Sequence, residues 1–240
     1  MTLKALVLAL ILPGMAQAAA CRDTEFEGQS YTVCEADPTD DLRLFWQGDG
    51  LPYGSFAAIN AALDPQGQEL AFAMNAGMFH SDLSPVGLYI ENGVEVARLV
   101  TSDGPGNFGL LPNGVFCIGD RFAVIESRAF AETRPTCRHA SQSGPMLVID
   151  GKLHPRFLPN SDSYYYRNGV GVAEDGRAVF VISNDEVNFH SLARFYRDAL
   201  GVQNALYFDG SISRLYAPTL DRQDAGFPMG PMIGVVTTKD

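Results

Sequence analysis

Turn-forming pairs cut this chain into short apolar runs, and that punctuation limits the folds open to it. Asn92-Gly93, Gly119-Asp120 and Asp175-Gly176 each separate two such runs, and Asp150-Gly151 closes a third stretch at 146–149. Runs of four to six residues suit strands and are too short for helices. Asn-Gly also supplies the positive backbone angles of a type I′ turn, so residues 86–90 and 94–99 are expected to form a hairpin. Further strands are expected at 30–34 and at 42–46, the latter with Leu42, Leu44 and Trp46 on one face. An apolar run at 231–237 makes the C-terminus part of the fold, while 126–139 reads as less regular. Two segments carry helical spacing instead. Ser55 can cap a helix to residue 63 with Phe56, Ile59, Ala62 and Leu63 on one side, and Asp64-Pro65-Gln66-Gly67 stops it. Residues 189–200 place Phe189, Leu192, Ala193, Tyr196 and Leu200 on one face, with Asn188 or Ser191 as cap and Gly201 as stop. Many strands and two or three helices, without regular alternation, predict a single α+β domain around a mixed or antiparallel sheet.

The first eighteen residues follow a different rule. Lys4, the apolar segment 5–12 and Ala16-Gln17-Ala18 have the order of a secretory signal, so the mature domain is expected at 19–240, periplasmic or secreted. The apolar segment is shorter than the ~20 residues of a membrane span, and no transmembrane segment is expected in the mature chain. Lipidation at Cys21 is disfavoured because Ala18-Ala19-Ala20 lacks the usual bulky residue. Export gives the four cysteines a purpose. Cys21, Cys34, Cys117 and Cys137 contain no C-x-x-C pair and are expected to form two structural disulfides; sequence proximity favours 21 with 34 and 117 with 137 among three connectivities. Seventeen basic against 28 acidic residues give a net charge of −11, and loss of Lys4 with the signal makes it −12. Nucleic acid and anionic membrane surfaces are therefore poor partners.

Chemistry is expected where apolar runs end in polar groups. The run 204–208 ends in Asp209-Gly210-Ser211, although Asp-Gly by itself is also a hairpin turn into residues 212–216. The run 70–74 ends in Asn75-Ala76-Gly77, and the run 178–182 in Ser183-Asn184-Asp185. Tyr164-Tyr165-Tyr166-Arg167-Asn168-Gly169 joins aromatic faces suited to a sugar ring with a guanidinium suited to phosphate; its plainer reading is an aromatic sheet surface with a solvated arginine. Gly104-Pro105-Gly106-Asn107-Phe108-Gly109 matches G-x-G-x-x-G, but no helix follows to hold a pyrophosphate, which excludes a dinucleotide site. G-x-S-x-G, H-E-x-x-H and P-loop motifs are absent from the sequence. His80, His139, His154 and His190 are scattered. The sequence calls for no cofactor and leaves a divalent metal open.

Met74 to Phe79, Gln142-Ser143-Gly144-Pro145, Arg167 to Gly171 and Ala205 to Ser211, in this order, resemble the phosphodiester glycosidase domain family. The family often has Asp-Gly-Gly-Gly-Ser where this chain has Asp209-Gly210-Ser211, and Asn-Gly-Gly where it has Asn75-Ala76-Gly77, which suggests a compact bacterial subgroup. The resemblance implies a carbohydrate or sugar-phosphate substrate and hydrolysis at the anomeric carbon of a sugar 1-phosphodiester. It gives Asp209 the carboxylate role, Arg167 the phosphate clamp and His190 a proton-transfer role. Asn75, Gly77, Ser143, Gly144, Asn168, Gly210 and Ser211 are the expected substrate-binding positions. The competing expectation is a non-catalytic glycan-binding or envelope polysaccharide accessory protein.

Overall fold

The computed structural model describes residues 21–239, and the expected signal segment at 1–18 lies outside the described residues. The fold is α+β, and every strand pairing among the described residues is antiparallel. A seven-stranded sheet runs in the order Cys21–Phe26, Gln29–Ala36, Ala178–Ser183, Asn168–Val172, Ala205–Asp209, Met146–Ile149 and Lys152–Leu153. Two five-stranded sheets pack against it. One carries Tyr89–Glu91 and Val94–Ala97 at its edge, joined by Asn92 and Gly93, both at positive φ as the hairpin requires. In the other, Met232–Thr238 pairs with both Gln68–Asn75 and Asp41–Phe45, so the C-terminal strand is interior to its sheet.

The central strands are apolar on both faces because both faces are covered. In Ala178–Ser183, Phe180 and Ile182 join a core with Leu42, Leu44, Phe72, Leu206 and Phe208. Val179 and Val181 face the opposite way, into a layer closed by Leu192, Ala193, Phe195 and Tyr196. The helix Phe189–Arg194 continues as a π-turn over Phe195–Ala199, and Tyr196 is fully buried. Asn188 is its cap, accepting the Ser191 N–H at 2.9 Å. The helix Phe56–Leu63 is capped by Ser55 and covers the sheet that holds Phe45 and Ala73, although Ala62, expected on its inner side, is exposed.

The region expected to be less regular contains a third helix, Ser127–Thr133. It is short because the Glu126 carboxylate caps its first N–H groups, from Arg128 and Ala129, and Arg134 ends it in a left-handed conformation. Phe130 ties it to a small core with Val115, Cys117 and Cys137. Both disulfides have the expected partners, Cys21 with Cys34 and Cys117 with Cys137. A Cys117→Ala/Cys137→Ala protein should lose about 2–4 kcal/mol of stability in urea titration, because the bond restricts a 20-residue separation in the unfolded chain. An unchanged midpoint would refute that estimate.

Candidate active site

Asp209 ends its strand at an irregularity in pairing. Along the neighbouring strand Gly169 lies opposite Tyr207, and the next residue, Asn168, lies opposite Asp209. One extra residue on the Asp209 side makes this a β-bulge, a device that re-aims a side chain at a strand end. The two strands that Asp-Gly was expected to join do not pair. Ala205–Asp209 belongs to the seven-stranded sheet, and Leu215–Ala217 pairs with Gln68–Asn75 in another. The hairpin reading is thereby overturned; in its place the Asp209 carboxylate organises the turn. Its Oδ1 accepts the Gly210 N–H at 2.6 Å and the Ser211 N–H at 2.8 Å, and Oδ2 takes neither bond. Gly210 has to be small here, since a Cβ would fall 2.3 Å from the Tyr207 hydroxyl.

Behind the tip lies a pair of facing amides. Asn75 Nδ2 donates to Asn168 Oδ1 at 3.1 Å, and Asn168 Nδ2 donates to Asn75 Oδ1 at 3.0 Å and to the Asn75 carbonyl at 3.1 Å. Asn168 Oδ1 also accepts the Asp209 N–H at 3.1 Å and the Ser213 hydroxyl at 3.3 Å. Asn75 Oδ1 accepts the Arg214 N–H at 3.0 Å. Asn75 and Asn168 therefore join two sheets and fix both ends of the segment from Asp209 to Arg214. The two are fully buried, so contact with substrate is not available to them in this arrangement. The same holds for Ser143, which is fully buried and donates to the Phe208 carbonyl at 3.0 Å. Gly77 packs beside Ser141 and Ser143, and Gly144 beside Asn113, both buried. Of the expected binding positions, Gly210 and Ser211 are those that reach the surface.

The alternative picture of Arg167 as a solvated arginine is wrong, and so is its direct access to a phosphate. It is fully buried. Nε donates to the Val187 carbonyl at 2.8 Å, Nη1 to the Tyr207 hydroxyl at 3.1 Å, and Nη2 to the carbonyl and hydroxyl of Ser163 at 2.9 and 3.1 Å. The guanidinium lies 3.7 Å from the Phe189 ring centre and 5.1 Å from that of Tyr165. Burial pulls its pKa down, opposed by Tyr207, Tyr165 and Asp209. All four of its hydrogen-bond acceptors are neutral, and Asp209 is the carboxylate whose field it feels. Burial raises the Asp209 pKa, while the N–H groups of 210–212 and the charge of Arg167 hold it back. Burial lowers the His190 pKa first, and the charged groups acting on it are Arg194, Arg197 and Asp198 of its own helical segment and Glu27 of the turn after Cys21–Phe26. No group of three metal-ligating side chains occurs among the described residues.

The model of the phosphodiester glycosidase family matches residues 68–236, a span that contains the amide pair, Arg167 and Asp209. The chain belongs to the phosphodiester glycosidase family. Members of this family are glycosidase-type hydrolases. A protein of Escherichia coli (strain K12), YigE, described as uncharacterized, is 39% identical over 222 residues, covering 90% of this chain and 86% of that one. The zebrafish N-acetylglucosamine-1-phosphodiester alpha-N-acetylglucosaminidase catalytic domain, auto-inhibited by its pro-peptide, shares the fold with a TM-score of 0.59 at 14% identity, over 90% of this chain and 81% of that one. A hypothetical protein from Synechocystis gives 0.56 at 14% identity, over 90% of this chain and 61% of that one. Within the phosphodiester glycosidase motif Asp-Gly-Gly-Gly-Ser, serine stands four residues after aspartate, and in this chain that residue is Ser213. Reading Ser211 as the motif serine missed it, whereas ungapped spacing would have found it. Ser213 donates to the Asp209 carbonyl at 2.9 Å as well as to Asn168.

Replacing Asn168 by Ala strands the Asp209 N–H and the Asn75 amide. The expected loss is about 2–6 kcal/mol in urea titration, at 1–3 kcal/mol per unsatisfied group. A loss below about 1 kcal/mol would mean that solvent substitutes for the amide.

Proposed function

We propose that this protein is an exported hydrolase that cleaves a sugar 1-phosphodiester bond in an envelope or extracellular glycan, with Asp209 as its catalytic carboxylate. The observation that carries this reading is the presentation of Asp209: a carboxylate on a bulged strand end, one oxygen held by backbone N–H groups, with a buried cation behind it. Family membership supports the class of bond. Export is supported by the two disulfides, which persist in oxidising compartments. No helix among the described residues is long and apolar enough to cross a membrane.

Breaking the bond between the anomeric carbon and the phosphate oxygen leaves positive charge on the sugar ring and negative charge on phosphate. A fixed carboxylate stabilises the first, as nucleophile or as counter-charge to the oxocarbenium ion, and phosphate departs without full protonation. The strong general acid of ordinary glycosidases is therefore dispensable. Arg167 acts as a positioning and tuning residue: its charge favours the ionised form of Asp209 against the cost of burial. Asn75, Asn168 and Ser143 frame the carboxylate, leaving Gly210 and Ser211 at the surface beside the sugar.

Asp209→Asn keeps the shape of the turn and should fold, with hydrolysis of sugar 1-phosphodiesters reduced about 100- to 10,000-fold. Wild-type turnover by that variant would eliminate the assignment. The reaction needs the carboxylate, so activity should fall on the acid side, with a midpoint above the ordinary aspartate value of 3.8 because burial raises the pKa. Removing the charge behind Asp209 raises it further. In Arg167→Gln, the acid limb of the kcat/KM profile should therefore move to higher pH, and an unmoved limb in a folded variant would show that Arg167 does not tune Asp209.

A further inference from the structure

A phosphodiester needs a cation it can reach, and Arg167 is sealed away. Arg214 is partly exposed and lines an open pocket of about 290 Å³ together with Tyr166, Ser183, Ser213, Arg222 and Asp224. This pocket is built on the frame that holds Asp209. Ser213 donates to the Asp209 carbonyl at 2.9 Å, Ser183 accepts the Arg167 N–H at 2.9 Å, and the Arg214 N–H is fixed to Asn75 at 3.0 Å. The Arg214 side chain is placed as well. Nη1 donates to the Phe227 carbonyl, and Nη2 occupies space that only a glycine at 226 leaves open, since a Cβ there would fall 2.2 Å away.

Charge in the pocket is unbalanced. Arg222 pairs with Asp224 at 3.0 Å and donates to Thr32 at 2.9 Å and Asn184 at 2.7 Å, so its donors are engaged. Asp224, the carboxylate whose charge reaches Arg214, is neutralised by that pairing. Two cations against one carboxylate leave one positive charge, in a chain whose net charge is −11. A fixed guanidinium with unused N–H groups at an open pocket is suited to two parallel bonds with a phosphate.

We infer that Arg214 is the residue that binds the substrate's phosphate, and that this pocket is the phosphate subsite. The inference rests on the hydrolase reading above and assigns to Arg214 the clamp expected of Arg167. It is tested by calorimetric titration of the full chain with inorganic phosphate, with folding of each variant checked by circular dichroism. Binding should weaken at least ~10-fold in Arg214→Gln, the loss of one charge-assisted contact, and should persist in Asp209→Asn. In parallel, KM for a sugar 1-phosphodiester should rise at least ~10-fold in Arg214→Gln, with the uncharged aryl glycoside of the same sugar little affected. Absence of phosphate binding, or equal affinity in wild type and Arg214→Gln, overturns the subsite. Diester hydrolysis by Arg214→Gln at wild-type KM also overturns it and leaves the hydrolase reading standing. Phosphate bound through Arg214 in a protein that cleaves no diester does the reverse.

Discussion

The facing amides of Asn75 and Asn168 are the contact on which the rest of the site depends. They lie 93 residues apart in sequence, on strands of different sheets, and meet in an interior where neither can reach water. A buried amide left unpaired costs more than a paired one returns, so the two side chains tolerate only the packing in which their donors and acceptors coincide. That requirement sets how the end of one sheet abuts the other. It also leaves Asn168 Oδ1 placed to receive the Asp209 N–H and the Ser213 hydroxyl. An apolar pair could fill the same space, but it would not determine where residues 209–214 run.

Around this hub the positive charges divide their work according to solvent access. Arg167 is deep enough for its charge to act through a medium of low dielectric, where it biases the ionisation of a carboxylate without touching it. The aromatic faces of Phe189 and Tyr165 and four neutral acceptors make that burial tolerable. Arg214 sits on the same frame but opens to solvent, where it can exchange water for an anion. Asp209 lies between the field of Arg167 and the protein surface. Neither arginine could take the other's part, because deep burial and ligand access exclude one another.

Much of the fold was legible in the chain because its causes are local. Asn92-Gly93 carries its own turn geometry, Ser55 and Asn188 cap the helices they precede, and runs such as 178–182 are apolar throughout because both faces are covered. The helix Ser127–Thr133 escaped notice because its cap is a glutamate and its buried face amounts to Ser127 and Phe130, too little for a periodic signal. Asp209-Gly210 was ambiguous for a related reason: a hairpin turn and a carboxylate-capped strand end use the same two residues, and they differ only in where the next strand goes.

By itself the sequence determined the α+β class, the disulfide pairs favoured by proximity, and the four motifs that lead to the family. These follow from local backbone preference, short loop closure and residue order. Only the tertiary structure decided which motif residues stand inside and which outside. It buried Asn75, Ser143, Asn168 and Arg167 as a frame and brought Ser213 and Arg214 to the edge of the site. Solvent access is a property of how sheets pack, and no residue carries it alone. Asp209 remains the carboxylate that the sequence singled out, now set on a frame of side chains from the three other motifs.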